Sequence, residues 1–297
     1  MSAPVPTCPV CGGAEGETFL RCRWGTLWRC RACAAGHLAG LPSVDPRFAT
    51  EGYLERLRSH DAASERFFAE WVERICVAIG PPPAVILDVG FGAGHFLRKM
   101  SFRGYRVAGV EISPHARDAL GMELPGAMLK VGALDPADWS RGSFNLVAFW
   151  DCLQCMPDAG TRFETAVSLL RPGGVLLLQV PNRGAANLRF ARVLARLHPE
   201  LARAHLHAPA AKVFFAPETL DWLAQRHGLV PVETSPTYGA SAAGTRDGTP
   251  EPWRGWREAV SRHVDSAWAK RARKAGEPVS LIRMFRSLAQ PAEMGIG

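Results

Sequence analysis

Ile86-Leu87-Asp88-Val89-Gly90-Phe91-Gly92-Ala93-Gly94-His95-Phe96-Leu97 is the stretch that decides the fold. Its opening residues form a short apolar run of the kind that makes a buried strand. Three glycines at alternate positions follow, and a helical pattern begins at once from His95. Glycine takes the backbone angles of a tight turn and lets a ligand approach the main chain with no Cβ in the way. The first amides of the helix then point at whatever is bound. Seventeen residues after Gly94 a second apolar run closes on Glu111. A carboxylate there can accept both hydroxyls of a ribose. The stretch reads as a nucleotide-type cofactor cradle built from Gly90, Phe91, Gly92 and Gly94.

Outward from the loop, apolar runs alternate with helical stretches. The pattern predicts strands at Ala84–Val89, Arg106–Glu111, Ala127–Val131, Phe144–Trp150 and Gly174–Val180, with helices at His95–Arg103, Pro114–Met122 and Arg162–Leu170 between them. Such short, continuously apolar strands mean a parallel sheet covered on both faces. Ala185–Leu201 is also helical in pattern, and Pro217–His227 is a helix opened by its proline. Strands at Leu229–Thr234 and Val279–Arg286 complete a Rossmann-like, doubly wound, mostly parallel α/β sheet. Ahead of it, Phe67, Phe68, Trp71, Val72, Ile75 and Ile79 recur at spacings of three and four. They form an amphipathic stripe within Asp45–Ile79, which Gly80-Pro81-Pro82-Pro83 ends. The expected organisation is a small module over 1–44, a helical lead-in over 45–83 and a main domain over 84–297. Within the last, a cap occupies 183–216 and an insert 239–278.

Four of the eight cysteines define the small module. Cys8 and Cys11, then Cys30 and Cys33, repeat a C-x2-C pair after eighteen residues, the spacing of a zinc ribbon. Each pair can aim two sulfurs at one ion, and together they close a tetrahedral S4 site with no open position, so the expected Zn2+ is structural. Thr18–Leu20 and Leu27–Arg29 read as hairpin strands between the pairs. Cys152 and Cys155 form a third C-x2-C without a partner pair and read as buried thiols.

Two cofactors share the geometry of the glycine loop. The dinucleotide fingerprint is G-x-G-x-x-G, whose third glycine lets the helix sit close to the strand. Here the pattern is G-x-G-x-G, and His95 takes the place of that glycine. Asp88, two positions before the first glycine, would repel a pyrophosphate but suits a cationic amino-acid moiety. Electrostatics therefore favour S-adenosylmethionine (SAM) over NAD.

The segments LDVGFGAG, GVEIS, SFNLVAFWDCL and LLRPGGVLLLQVPN, in this order, resemble the successive motifs of class I SAM-dependent methyltransferases. With the ribbon, the aromatic-rich helix and FFAPETLDWLAQRHGL, the chain is similar to a bacterial subgroup carrying an N-terminal zinc ribbon. The resemblance implies that Gly90, Gly92 and Gly94 pass under the methionine part of SAM, with Asp88 near its amino group. It places Glu111 on the ribose, Ile112 on the adenine and Asp135 at the adenine amino group. It puts Trp150 and Asp151 where the methionine end meets the acceptor, and Tyr53 over the cofactor. Many relatives carry Glu-His where this chain has Gln154-Cys155, so a histidine base at that position is missing. His205 and His207, on the segment that caps the acceptor pocket in the resemblance, are the next candidates, with His207 preferred beside the apolar Val213–Phe215 run.

Composition limits the alternatives. At 297 residues with 47% apolar and 21% charged content, the chain has the makings of an ordinary globular protein. It lacks an apolar run long enough to span a membrane and begins without a signal-peptide pattern. A cytoplasmic, reducing setting is expected, where cysteines serve metal binding or chemistry. Much of the +7 formal charge lies between Trp253 and Glu277, where seven Arg or Lys face three Asp or Glu. That helical pattern fits a solvated helix packed by its tryptophans, a helix lying on a membrane surface, or a phosphate-binding surface. The leading reading is methyl transfer to a small-molecule acceptor, such as a secondary metabolite or a quinone- or lipid-like compound. The competing readings are an rRNA base methyltransferase with a zinc ribbon and a SAM-binding protein without turnover.

Overall fold

The run before the glycines forms β4 (Val85–Val89), an interior strand of a seven-stranded sheet. The computed structural model describes residues 6–22, 25–38, 46–58, 61–182, 210–237 and 280–288. Across the sheet the strands are β10 (Leu229–Thr237), β11 (Ser280–Ser287), β8 (Leu170–Pro181), β7 (Phe144–Trp150), β4, β5 (Arg106–Glu111) and β6 (Met128–Val131). β4 through β8 pair in parallel. β11 is antiparallel to both β8 and β10, so the last strand in sequence enters between the two before it. The sheet is the mostly parallel, doubly wound one that the alternation predicts.

Each strand presents alternate residues to opposite faces. Ile86, Leu146, Ala148, Leu177 and Ile282 pack with Trp71, Ile75, Phe96 and Met100, drawn from α2 (Asp61–Ile79) and α3 (His95–Phe102). Leu87, Val147, Phe149 and Leu178 pack with Phe163 and Leu220, from α5 (Ala159–Leu169) and α6 (Pro217–Arg226) on the other face. α4 (Pro114–Glu123) opens on the Ser113 hydroxyl, which accepts from Ala116 N, one of the donors a helix start leaves unpaired. The helical lead-in consists of a short 3-10 turn at Pro46–Ala49, α1 (Glu51–Arg58) and α2, which carries the apolar stripe. Among the described residues no helix is long and apolar enough to cross a membrane.

The ribbon hairpin consists of β1 (Gly16–Cys22) and β2 (Gly25–Cys30), longer than the sequence pattern suggests, with β3 (Gly36–Leu38) alongside. A fourth strand, β9 (Val213–Phe214), comes from far along the chain and pairs with β3. Cys8, Val10, Cys30 and Cys33 share a core cluster with Leu153, Phe163 and Phe215 of the main domain. The helical pattern at Ala185–Leu201 and the basic segment Trp253–Ala275 lie outside the described residues.

Phe96 is 1% exposed and touches Phe68 and Trp150, joining α2, α3 and β7. Phe96→Ala should cost about 3–5 kcal/mol of unfolding free energy, the range for deleting a buried aromatic side chain. Urea titration of the two proteins measures it, and a loss below about 1 kcal/mol would show that this packing does not hold the layer.

Candidate functional site

The glycine loop lies at the carboxyl edge of the sheet, between β4 and α3, where the strand order reverses between β4 and β7. In doubly wound sheets this switch point opens the crevice that takes ligands. Gly90 and Gly94 have positive φ, 73° and 81°. A Cβ on Gly94 would lie 2.5 Å from Leu120 of α4, and one on Gly90 would lie 2.9 Å from the Cβ of Cys152. Sterics and backbone angle both demand glycine there. Phe91 departs from the cradle reading, because its ring is buried against Gly109 of β5. Only its backbone borders the loop, the carbonyl accepting from Gly94 N at 2.9 Å.

Glu111 ties the loop to β5. Its Oε2 accepts from Gly92 N at 2.9 Å and its Oε1 from Ser113 N at 3.0 Å. Gly90 N also donates to Val110 O at 2.7 Å. Burial pushes the Glu111 carboxyl above the ordinary carboxylate range, against the downward pull of these amides. Each carboxylate oxygen has two lone pairs, so Glu111 keeps capacity for further donors such as ribose hydroxyls. Ile112, half-buried, follows it at the rim.

Asp88 sits on β4, the strand beside β5. It is 1% exposed, and its Oδ1 has no hydrogen-bond partner among the described residues. Burial first, and the nearby Glu111 charge second, hold its carboxyl well above the usual range. A buried, unsatisfied carboxyl is costly unless a partner arrives. A cation is the partner its chemistry calls for.

α1 roofs this crevice. A Cβ on Gly92 would lie 3.0 Å from Leu57. Tyr53, its ring tilted against Phe48 with centroids 5.1 Å apart, has its phenol pKa raised first by burial and then by the Glu111 charge. Trp150 closes β7 inside a cage of Phe67, Phe68, Trp71 and Phe96, with ring centroids 5.2 to 6.0 Å away. Asp151 adopts φ 54°, a left-handed angle that non-glycine residues seldom take but aspartate tolerates better than most. It is held there by Asp151 N donating to Gln179 O at 3.0 Å and by Gln154 Nε2 donating to its Oδ1 at 2.8 Å.

The sequence reading understated two residues. Cys152, half-buried rather than buried in a core, donates its thiol to Val89 O at 2.8 Å and packs under Gly90. Burial, then the Asp88 charge, pushes that thiol well above its ordinary range. Gln154 braces the turn through both oxygens of Asp151, main chain and side chain. Position was the available signal for both, since each follows the end of β7 within four residues. Asp135, by contrast, is exposed, and its carboxylate caps the turn at Pro136–Asp138 by accepting from Ala137 N at 2.8 Å. No described hydrogen bond joins it to the Asp88–Glu111 cluster. His205 and His207 lie outside the described residues.

The four N-terminal cysteines converge, all their sulfurs lying within 4.8 Å of one another. Cys8 and Cys33 Sγ are 3.7 Å apart, and Cys11 and Cys30 Sγ 3.5 Å. These distances exclude disulfide bonds of about 2.05 Å. They match the separation of about 3.8 Å between sulfurs that each lie about 2.3 Å from one tetrahedral ion. The hydrogen bond from Cys33 pulls Cys8 down to about 5, whereas burial pushes Cys11 up to about 11. Thiols so crowded ionise together only around a cation.

Comparison with known proteins agrees with this geometry. A family profile described as a methyltransferase domain matches residues 58–234. The chain is 29% identical over 150 residues to the ubiquinone biosynthesis O-methyltransferase of Alkalilimnicola ehrlichii, covering 49% of this chain and 60% of that protein. It is 30% identical over 118 residues to the tRNA 5-carboxymethoxyuridine methyltransferase of Escherichia coli K12, covering 37% and 45%. The chain thus spans about three fifths or less of these curated relatives. Among solved structures, the YcgJ protein of Bacillus subtilis shares the fold at 16% identity and TM-score 0.52, over 73% of this chain and 97% of its own. The [4+2]-cyclase SpnF shares it at 14% identity and TM-score 0.50, over 76% and 81%. The fold alone therefore does not fix the reaction.

Metal analysis of the purified chain should find about one thiolate-bound divalent ion per molecule, with Cys30→Ser losing most of it. A folded wild type free of metal would contradict the tetrahedral reading.

Proposed function

The chain belongs to the methyltransferase-domain family, and from that premise we propose that it transfers a methyl group from SAM to a small-molecule acceptor with a quinone- or lipid-like apolar body. The observation that carries this reading is Asp88: a buried carboxyl, unsatisfied at Oδ1, at the mouth of a glycine loop pinned by Glu111. A dinucleotide would bring a pyrophosphate to that carboxyl, whereas SAM brings an ammonium. Bound there, SAM supplies a sulfonium-activated methyl for in-line displacement.

The chain's own residues do the rest by holding and drying the site. Glu111 receives the ribose, and the amides of the glycine loop and the first turn of α3 border the methionine end. Tyr53 and Leu57 exclude water from above. Alignment of this kind is worth about 7–11 kcal/mol. Phe67, Phe68 and Trp71 pack around Trp150 and give the turn an apolar backing, which suits an acceptor with an apolar body. The relative named for ubiquinone biosynthesis supports the same class. Gln154 is committed to bracing Asp151 and takes no proton. In this reading His207, with His205 as its neighbour, is the base for an acceptor that arrives protonated. The S4 cluster holds one structural Zn2+.

Calorimetry with SAM and S-adenosylhomocysteine should give saturable binding of both, and the absence of either interaction would remove the proposal. The raised Asp88 carboxyl fixes a sign: its charged form holds the ammonium, so SAM affinity should rise with pH as Asp88 ionises. Asp88→Asn should bind more weakly and lack that rise. An unchanged pH profile in the variant would take Asp88 out of the site. His207→Ala should lower turnover by about 10²–10⁴-fold with SAM affinity unchanged, the range for a lost proton acceptor. Equal turnover in both proteins would dismiss His207.

A further inference from the structure

The ribbon is joined to the acceptor end of the site by a continuous series of hydrogen bonds. Leu38 N, at the end of β3, donates to Lys212 O at 2.9 Å. Lys212 N donates to Gln154 O at 2.8 Å. The Gln154 side chain then holds Asp151 through its main-chain and side-chain oxygens, at 2.7 and 2.8 Å. A second link runs through α5. The Asp158 side chain does not cap this helix; Pro9 O, within the first cysteine pair, instead accepts from Gly160 N at 2.9 Å. A helix start needs such partners for its free amides. The approach is so close that a Cβ on Gly160 would collide with the Val10 carbonyl. Beyond Lys212, β9 pairs with β3, and Phe215 bridges to Asn182 just past β8. Metal-ligand knuckle, ribbon edge and the ends of β7 and β8 thus form one connected wall. The glycine loop is anchored separately, through Glu111, Val110 and its own carbonyls, although the Cys152 thiol of the turn also reaches Val89 O beneath it.

We infer that the metal-held ribbon is the positioning wall of the acceptor side, setting the strained Asp151–Cys155 turn through Lys212 and Gly160, while the cofactor cradle keeps its own anchor on Glu111. The ribbon is therefore more than an appended module: its metal keeps two knuckles in the one arrangement that presents Leu38 N and Pro9 O to the main domain. Without the ion, the four thiols have no common centre and both contacts lose their support. Only the label "acceptor side" rests on the function proposed above; the coupling itself is a property of the fold.

Hydrogen exchange read by mass spectrometry on the full chain tests this with no acceptor in hand. Stripping the metal with a chelator should lower protection at least about tenfold in segments 151–156 and 210–216 as well as in the ribbon. Segment 86–97 should change by less than about twofold, and SAM affinity should stay within about the same factor. Gly160→Val provides a second route: it pushes the Pro9–Val10 backbone off the start of α5 and, with metal content measured alongside, should lose protection in 151–156. Unchanged protection of 151–156 in either experiment overturns the inference. So does loss of protection across 86–97 on metal removal, because the ribbon would then merely support the whole fold. Should SAM fail to bind at all, the exchange pattern still decides the coupling, so failure of the functional reading stays distinguishable.

Discussion

One carboxylate organises the carboxyl edge of this sheet. Glu111 accepts from Gly92 N in the glycine loop and from Ser113 N at the start of α4. It thereby fixes the loop to β5 and sets the first turn of the next helix. Everything in the crevice is arranged around that anchor. Gly94 can pass beside Leu120 because the loop is held at that height, and α1 can lay Leu57 and Tyr53 over it. Asp88 is left one strand away, in a low-dielectric pocket where its charge is opposed by Glu111. Two carboxyls so placed make the crevice hungry for cations and hydroxyl donors, a combination that the methionine and ribose ends of SAM together supply.

The far side of the crevice is governed by a different constraint. The chain leaves β7 through Asp151 at a left-handed angle, and such a residue persists only where its surroundings over-determine it. Here the over-determination comes from Gln154, Gln179, Lys212 and, behind them, the ribbon. Gln154 spends its side-chain amide on bracing this turn, donating to both the main-chain and the side-chain oxygen of Asp151.

Much of this was legible in the sequence because it is written in local patterns. Buried strands announce themselves as short apolar runs, so β4, β5 and β7 fall within a residue or so of their predicted ends. The glycine loop and the two cysteine pairs are spacing rules, and both converge as the spacing requires. What escaped is non-local or competes with a local rule. β9 is only two residues long, and nothing in Val213-Phe214 tells that it will join a ribbon more than 170 residues earlier. β11 has an ordinary strand pattern, but its antiparallel place between β8 and β10 is decided by the sheet. Phe91 lies in a loop where strand alternation has ended, so its direction followed from the vacant space over Gly109. Asp135 also caps the turn that follows it, a local role that an aspartate before Pro-Ala readily takes.

The most direct test is a crystal structure of the full chain with S-adenosylhomocysteine. The amino group should lie on the Asp88 side of the glycine loop, with both ribose hydroxyls on Glu111 and the sulfur facing the Trp150–Asp151 turn. Density for the ligand elsewhere, or a ligand that leaves Asp88 without a partner, would contradict the assignment of this crevice as the methyl-donor site.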